Sequence, residues 1–200
     1  VQVRCDGPWT VIQRRGQYNN PQDYFYKTFI EYEEGFGSVD KELWIGLKNM
    51  RDLTKEGQWQ LRVDLTDWDG KTYFARYDSF AVGPGPRYQL EISGYEGRKS
   101  TLGDSLIAEG EHSDWHQDHN GMAFSTKDKD EDKYRRGSCA ESFKGAWWFN
   151  ECHFVHLNGL NYPRQLIGDE TSKGVVWYHG KVRGDTFKTW REAVMKIRKT

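Results

Sequence analysis

Alternation of apolar and polar residues is the clearest pattern in the first half of this chain. From Trp59 to Leu65 every second residue is apolar, which predicts a strand with one buried face. Asp69-Gly70 follows, and this dipeptide is typical of a hairpin turn. Residues 72–82 then return as the partner strand, and residues 88–94 form one more strand. This part of the chain is therefore predicted to be an antiparallel meander.

Weaker patterns flank the meander. Residues 9–15 are predicted to form a strand, and residues 43–47 are a short apolar run typical of a buried strand. Between Asp23 and Glu34 aromatic rings recur three to four residues apart, which predicts a helix that packs one face on the sheet. The rings are Phe25, Phe29 and Tyr32. Glycines at 35 and 37 are expected to end this helix.

The second half has a different character. From about residue 95 small and polar residues dominate, and only residues 175–177 and 193–197 resemble strands. Long ordered loops in a compact domain are usually functional, and they need a disulfide or a metal to hold them. The predicted class is α+β: an antiparallel central sheet with packed helices, and a loop-rich remainder.

Composition narrows the class of protein. A chain of 200 residues is long enough for one domain, and the 15% aromatic content, with nine Trp, excludes disorder. With 29 basic and 30 acidic residues, net charge predicts neither a nucleic-acid partner nor an anionic membrane. No apolar run reaches the roughly 20 residues that span a bilayer, so no membrane insertion is expected. No signal peptide opens the chain, which is expected to begin at a processing or cloning boundary.

Three cysteines bear on the compartment. In an extracellular protein Cys139 and Cys152 would pair, and closing so short a loop is worth roughly 3 kcal/mol. Cys5 would then be the odd cysteine, with an expected partner before residue 1. The alternative is that all three are reduced thiols of a cytosolic protein. The absence of a C-x-x-C spacing argues against a zinc ribbon.

An acidic loop is the best metal candidate. Asp128, Asp130 and Asp132 alternate, and carboxylates two residues apart in a turning loop can converge on one hard cation, with backbone carbonyls as further ligands. An EF-hand is excluded because Lys133 and Cys139 occupy the positions that need Gly and Glu. The alternative is a solvated charged loop.

Other chemistry is weakly indicated. A histidine cluster could bind zinc but lacks regular structure to bring its members together, so exposed side chains are the favoured interpretation. Its members are His112, Asp114, His116 and His119. The chain has no G-x-S-x-G, Walker, G-x-G-x-x-G or H-E-x-x-H motif, so no enzyme is predicted.

A resemblance becomes specific in the second half, in residues 120–126, 139–141, 145–153 and 157–159. Earlier and later stretches agree with it: residues 9–15, 34–37, 77–80 and 195–198. Together they resemble the fibrinogen-related domain family of fibrinogen chains, ficolins, tachylectins, tenascins and angiopoietins. The resemblance covers almost the whole chain and favours a lectin-like invertebrate member.

The resemblance implies an arrangement for the whole chain. Residues 1–13 would be the remnant of an N-terminal subdomain, residues 14–103 a central sheet subdomain, and residues 104–200 a loop-rich subdomain that binds calcium and ligand. The family's domain begins earlier than this chain, which would place the partner of Cys5 in the preceding segment. The implied second disulfide joins Cys139 to Cys152.

The resemblance also implies a calcium site in the acidic loop. The side chains of Asp130 and Asp132 would be direct ligands, and Asp128 would take part through water. Backbone carbonyls would complete the coordination, at Tyr134 and at Arg136 or Gly137.

A ligand pocket is implied next to the calcium site. The Cys152 amide and the imidazole of His153 would bind the carbonyl of an acetyl group, with Phe143 and Trp148 as ring walls. In family lectins the peptide before the second cysteine is cis, which here would be Glu151–Cys152; a cis bond without proline costs about 3–4 kcal/mol.

Departures from the lectins bear on this pocket. Thr171 and Thr186 lie where family lectins carry pocket tyrosines, and Glu151 places an acid where many have a basic or amide residue. Gly180 replaces a usual Trp, and residues 173–179 resemble the tenascin branch more than the ficolin branch. The alternative for His153 and its neighbours is a packed loop without a ligand.

Three functions remain open at this point. The first is a secreted, calcium-dependent innate-immunity lectin for N-acetylated sugars or other acetylated ligands. The second is a protein-binding module of a matrix or growth-factor-like protein, of the tenascin or angiopoietin type. The third is a structural domain without a direct ligand. One shallow pocket binds weakly, so a homo-oligomeric full-length protein is expected.

Overall fold

The structure is a computed structural model that describes residues 3–107, 118–178 and 188–200. Ten strands lie in these ranges: β1 (Arg4–Asp6), β2 (Trp9–Arg15), β3 (Phe36–Gly37), β4 (Leu43–Trp44), β5 (Trp59–Thr66), β6 (Thr72–Val82), β7 (Leu90–Tyr95), β8 (Val155–His156), β9 (Val176–Trp177) and β10 (Glu192–Lys199). Eight of them form one antiparallel sheet in the order β3-β4-β2-β10-β5-β6-β7, with β1 also paired to β2. β8 and β9 form a separate pair.

The predicted meander is confirmed. β5 and β6 pair in the register Leu61↔Tyr77 and Leu65↔Tyr73, and Leu61, Val63 and Leu65 of β5 are fully buried. In the turn, the Asp67 carboxylate accepts the N–H groups of Asp69 and Lys71 at 3.0 and 2.8 Å. These hydrogen bonds satisfy two backbone N–H groups within the turn itself, which is the usual role of Asp in turns.

The last strand lies inside the sheet. β10 pairs along its whole length with β5 and also with β2, with a register irregularity between Met195 and Lys196. The chain end therefore joins the N-terminal strands to the meander. A strand over 193–197 was predicted, but its place in the sheet was not.

Three α-helices pack beside these strands: α1 (Phe29–Glu34), α2 (Leu47–Thr54) and α3 (Cys139–Phe143). The predicted helix over 23–34 was too long at its N-terminus, because residues 21–28 form turns. Glu31 sets the start of α1, since its carboxylate accepts the Thr28 N–H and hydroxyl, both at 2.8 Å. Gly35 ends α1 as predicted, at a φ of 100°.

The predicted strand over 43–47 was half right. β4 stops at Trp44 and α2 begins at Leu47. The change needs Gly46, whose φ is 98° and whose missing Cβ would lie 2.6 Å from the Glu34 carbonyl oxygen. Leu47, Met50 and Thr54 are buried on one face of α2, and their spacing of three to four residues is the pattern in the sequence that indicates this helix.

Aromatic rings form the centre of the core. Tyr32, Trp44, Phe124 and Trp148 contact one another at centroid distances of 5.1 to 6.0 Å. All four are fully buried. Rings of this size bury a large apolar area each, which compensates for the low aliphatic content of the chain.

Residues 118–178 are mostly ordered loop, as predicted, with a 3-10 helix at Asp169–Lys173. β2 holds this region through buried side chains. Arg15 donates to the carbonyls of Leu157 and Gly159 at 3.2 and 2.7 Å and pairs with Glu42 at 2.9 Å. These partners offset much of the cost of burying the charge, although Nη2 makes no hydrogen bond in the described chain, and they hold the loops against the sheet. The subdomain boundaries after residues 13 and 103 remain a prediction.

Candidate functional site

The acidic loop brings two of the three alternating aspartates together. Asp130 Oδ1 accepts the N–H of Asp132 at 3.2 Å, and Asp132 Oδ1 accepts the N–H of Tyr134 at 2.8 Å. Asp132 Oδ2 accepts the N–H of Cys139 at 2.8 Å. Each aspartate therefore shapes the backbone two residues ahead, which curls the loop around the two carboxylates.

Asp128 has a different role. Its Oδ1 accepts the Phe29 N–H and the Thr126 hydroxyl, both at 2.8 Å, so it joins the loop to the start of α1. Glu131 is paired with cations instead, and its carboxylate lies 3.4 Å from Arg87 and 3.9 Å from Lys129. The paired acids of this loop are thus Asp130 and Asp132.

The electrostatics of that pair suit a cation. Partial burial and the adjacent Asp130 carboxylate together raise the pKa of Asp132 to about 6, against the lowering effect of the backbone N–H groups of Cys139 and Tyr134. Both acids border a polar cavity of about 540 Å³. Within the described ranges no group of three or more His, Cys, Asp or Glu could hold a metal. A hard cation here would need backbone carbonyls and water as further ligands, which is ordinary for calcium.

The predicted disulfide is present. Cys139 and Cys152 are bonded across a separation of 13 residues, and in the described chain Cys5 is an exposed free thiol on β1. Cys139 opens α3, where Ser138 Oγ accepts the Glu141 N–H at 3.2 Å. The disulfide therefore joins the acidic loop to residues 150–153.

A cavity of about 490 Å³ borders the disulfide at Cys152. It is formed by α3, by residues 151–154 and by the 3-10 helix region. Its lining includes Tyr134, Ser142, Phe143, Glu151, Cys152, His153, Phe154, Gly168, Thr171 and Ser172. Four of the five predicted ligand residues lie here, and no pattern in the sequence indicated that Tyr134, Ser142 or Phe154 would join them.

His153 forms the buried wall of this cavity. Its ring meets the Phe143 ring edge-on at a centroid distance of 4.5 Å. Burial and nearby His119 together lower the pKa of His153 to about 3, against a smaller raising effect of the Ser172 backbone, so the imidazole is neutral. Neither ring nitrogen makes a hydrogen bond of normal geometry within the described residues.

The backbone at Cys152 is also open to a ligand. Its carbonyl accepts the Asn150 N–H at 3.0 Å, whereas its own N–H donates to no group in the described chain. A buried N–H without a partner is costly unless a ligand or water accepts from it. The cavity thus combines an N–H donor, a neutral imidazole and aromatic walls.

Two implied features of the pocket were wrong. Trp148 does not line the cavity, because its ring is fully buried in the core and its Nε1 donates to the Tyr88 carbonyl at 2.7 Å. The Glu151–Cys152 peptide is trans, since the cis bond in the described ranges is Gly85–Pro86. A trans peptide avoids the 3–4 kcal/mol that a cis bond without proline costs.

Of the predicted zinc cluster, His119 lies within the described residues, and it is not free to bind a metal. His119 is fully buried, with Nδ1 2.8 Å from the Trp148 carbonyl and Nε2 3.3 Å from the Val155 N–H. Both nitrogens are used within the fold. His112, Asp114 and His116 lie outside the described residues, as do Gly180 and Thr186. Thr171 does reach the cavity, where its hydroxyl donates to the Gly168 carbonyl at 2.6 Å.

The sheet, the disulfide and the loop-built cavity define a globular binding domain. The chain belongs to the family of the C-terminal globular domain of fibrinogen beta and gamma chains, whose profile matches residues 2–200. The predicted family and the α+β class are confirmed. Fibrinogen-like globe domains are non-enzymatic binding modules, so the chain is not an enzyme.

Several proteins of this family are similar over most of the chain. Fibrinogen-like protein 1 of Rattus norvegicus is 40% identical over 98% of this chain and 62% of its own length. Tenascin of Gallus gallus is 42% identical over 90% of this chain and 9% of its own length. Techylectin-5A of Tachypleus tridentatus is 38% identical over 88% of this chain and 57% of its own length. The chain thus spans 62% or less of these relatives.

Solved structures agree with the fold. The fibrinogen-like globe domain of human ANGPTL6 matches with a TM-score of 0.80 at 35% identity, over 96% of this chain and 78% of that one. The lamprey fibrin D-dimer complexed with the peptide ligand Gly-His-Arg-Pro-amide matches with a TM-score of 0.78 at 32% identity, over 94% of this chain and 60% of that one. Fibrinogen-related domains often bind calcium. Within the described ranges no helix combines the length and the apolar character needed to cross a bilayer.

Proposed function

We propose that this chain is a calcium-stabilised extracellular recognition domain that binds acetylated ligands, such as N-acetylated sugars, in the cavity beside the disulfide. The observation that carries the proposal is the meeting of Cys152, His153 and Phe143 around one cavity of about 490 Å³. Cavities of this size that are mostly apolar, with a few polar groups, are the usual sites for small ligands.

The cavity suits an acetyl group for chemical reasons. The unpaired Cys152 N–H can donate to the acetyl carbonyl, and the neutral His153 ring lies beside it. The Phe143 ring offers an apolar surface to the methyl group. A ligand that accepts the orphan N–H relieves a desolvation cost of about 1–3 kcal/mol, so the carbonyl would be recognised together with the methyl.

Calcium would lie at Asp130 and Asp132, with carbonyls of Tyr134 and of Arg136 or Gly137 as further ligands. The all-oxygen donor set and the crowding of the two carboxylates support this assignment. The ion would supply the positive charge that lets both acids stay ionised. Asp132 also holds the N–H of Cys139, so calcium would order the disulfide and through it Cys152.

Location and assembly follow from the same chemistry. A disulfide persists in an oxidising compartment, which supports secretion. One cavity of this size gives weak binding, so the longer protein would gain avidity as a homo-oligomer. The similarity to Techylectin-5A supports the lectin version of this proposal, for which innate immunity is the proposed setting.

A protein-binding module is the second candidate. The similarity to tenascin and the peptide ligand of the lamprey fibrin structure support it. Tyr134 at the cavity is 37% exposed, and Ile167 beside the lining residue Gly168 is 66% exposed. Exposed apolar side chains at the rim of a cavity are typical of a surface that meets another protein.

Calorimetric titration with N-acetylglucosamine tests the first candidate. Saturable heat in calcium that disappears in excess chelator is the expected result. Ser142→Trp should abolish the heat, because Ser142 lines the cavity on the exposed side of α3. Glu141→Trp places the same ring on the same helix outside the cavity and should bind normally. No heat in either buffer, with calcium still raising the unfolding temperature, would exclude acetyl sugars and favour the protein-binding module.

A further inference from the structure

The cavity beside the disulfide is much larger than the acetyl group proposed to bind in it. Its volume is about 490 Å³, whereas one water molecule occupies roughly 30 Å³ of the liquid. An acetyl group has the bulk of only a few water molecules, so it fills a small part of this space. Cavities in this range of volume enclose whole drug-sized ligands. Much of the cavity is therefore available to a further part of the ligand.

Apolar rings line the space beyond the acetyl position. Phe143 is the ring assigned to the acetyl methyl group, and Tyr134 and Phe154 are two more rings of the lining. The three rings come from separate segments: α3, the turn after the acidic loop, and the stretch that follows His153. Apolar groups are in contact only within about 4 Å, so one methyl group cannot cover all three rings. A longer apolar chain can.

Thr171 adds apolar surface to the same space. It lines the cavity from the 3-10 helix and is fully buried. Its hydroxyl donates to the Gly168 carbonyl at 2.6 Å, and its N–H donates to the same carbonyl at 3.0 Å. Because both donors already serve this turn, Thr171 offers a ligand its methyl group rather than a hydrogen-bond donor.

The buried polar wall of the cavity does not oppose an apolar chain. His153 forms this wall, and burial and nearby His119 lower its pKa to about 3. Its ring is therefore neutral, and covering a neutral ring costs far less than desolvating a charged one. Its contact with the Phe143 ring, at a centroid distance of 4.5 Å, continues the aromatic surface.

We propose that this cavity binds N-acyl groups longer than acetyl, such as N-propionyl and N-butyryl, with the acyl chain extending from Phe143 toward Phe154 and Thr171. This inference rests on the proposed function, because it keeps the acyl carbonyl at the Cys152 N–H. Each methylene that leaves water for this lining buries apolar surface, which favours binding in proportion to the area covered. Acetyl is then the shortest member of the ligand class and not the preferred one.

A series of N-acetyl-, N-propionyl- and N-butyrylglucosamine tests the inference, because its members differ in acyl chain length alone. Each is titrated calorimetrically into the protein in calcium. We expect the affinity to rise roughly two- to fourfold with each methylene, where the upper value corresponds to full burial. Equal affinities, or a decrease with length, would overturn the inference and leave acetyl binding intact. Binding of none of the three would overturn the proposed function itself.

Replacement of Phe154 tests the path of the acyl chain. Phe154→Ala removes one apolar wall, so it should reduce the gain from acetyl to butyryl with little change for N-acetylglucosamine, whereas Phe154→Leu keeps an apolar wall and should retain most of the gain. Phe74→Ala removes another partly buried ring, on β6 outside the cavity, and should bind like the wild type. An unchanged gain in Phe154→Ala, with the unfolding temperature of the wild type, would overturn the assigned path.

Discussion

At the residue scale, three buried histidines share one region beside the cavity. The rings of His153 and His156 are 5.1 Å apart at their centroids, and Phe149 contacts both. Burial lowers the pKa of His119 to about 4 and of His153 to about 3. Burial, His153 and the Arg15 guanidinium lower the pKa of His156 as well. All three are therefore neutral in the folded protein at physiological pH.

Acid should destabilise the fold through these histidines. In the unfolded chain their pKa is about 6.5, so below that pH the unfolded state binds more protons and stability falls with pH. The stability is complete above pH 6.5 and is lost progressively toward pH 4. Each histidine costs up to about 1.4 kcal/mol per pH unit in that window.

Urea unfolding of wild type and His119→Asn at pH 7 and pH 5 measures this effect. Asn can still donate to the Trp148 carbonyl in place of Nδ1, but it does not titrate. We expect the loss of unfolding free energy between the two pH values to be smaller in the variant by the contribution of one histidine, up to about 1.4 kcal/mol per pH unit. Other groups titrate equally in both proteins, so the difference between their slopes is the relevant quantity. Identical slopes would contradict the prediction.

At the element scale, β10 is the strand that joins the N-terminal strands to the meander. It fills the gap between β2 and β5, and its apolar residues Met195 and Ile197 are buried between the sheet and the rest of the core. The chain must therefore be nearly complete before the sheet can close, because this pairing joins positions almost 190 residues apart. Contacts of such separation carry a large loop-closure cost.

Ile197→Ala should accordingly lower the free energy of unfolding by about 2–5 kcal/mol, because Ile197 is fully buried and the substitution leaves a cavity. Lys199→Ala, at an exposed position of the same strand, should change it by no more than about 0.5 kcal/mol. Denaturant unfolding followed by tryptophan fluorescence measures both. A cost below about 1 kcal/mol for Ile197→Ala would show that β10 is not essential to the core.

At the scale of the whole molecule, one series of contacts joins the proposed calcium site to the proposed ligand site. Asp132 holds the Cys139 N–H at 2.8 Å, Cys139 is bonded to Cys152, and Cys152 lines the cavity. The backbone adds a second connection, because the Lys133 N–H donates to the Asn150 carbonyl at 3.0 Å. An ion that orders the loop would thus order the cavity wall.

Calcium and acetyl ligand should consequently strengthen each other's binding by the same factor, as linkage requires. At a concentration 100 times its dissociation constant, calcium should add about 2.7 kcal/mol to stability. Asp130→Asn and Asp132→Asn should lose this gain and weaken ligand binding. Glu131 lies between them in the sequence but pairs with Arg87 and Lys129, so Glu131→Gln should behave like the wild type. Thermal unfolding with and without calcium, and titration of each partner with the other saturating, would show whether the two sites are independent.

Local pattern in the sequence was enough for much of this molecule. Alternation predicted β5, because burial of one strand face repeats every second residue, and the Asp69-Gly70 turn predicted β6 as its hairpin partner. The pairing of Cys139 with Cys152 was foreseen from their closeness in the chain. The order of motifs from residue 120 to 159 predicted the family.

Other features needed the tertiary structure, because they depend on residues distant in sequence. Nothing local places β10 between β2 and β5, since register and partner are set by burial across the whole sheet. The cavity is built from residue 134, residues 142–143, residues 151–154 and residues 168–172, which only the folded loops bring together. Trp148 was misplaced for the same reason: its motif marks the position in the chain, but the side to which its ring turns is decided by the aromatic core.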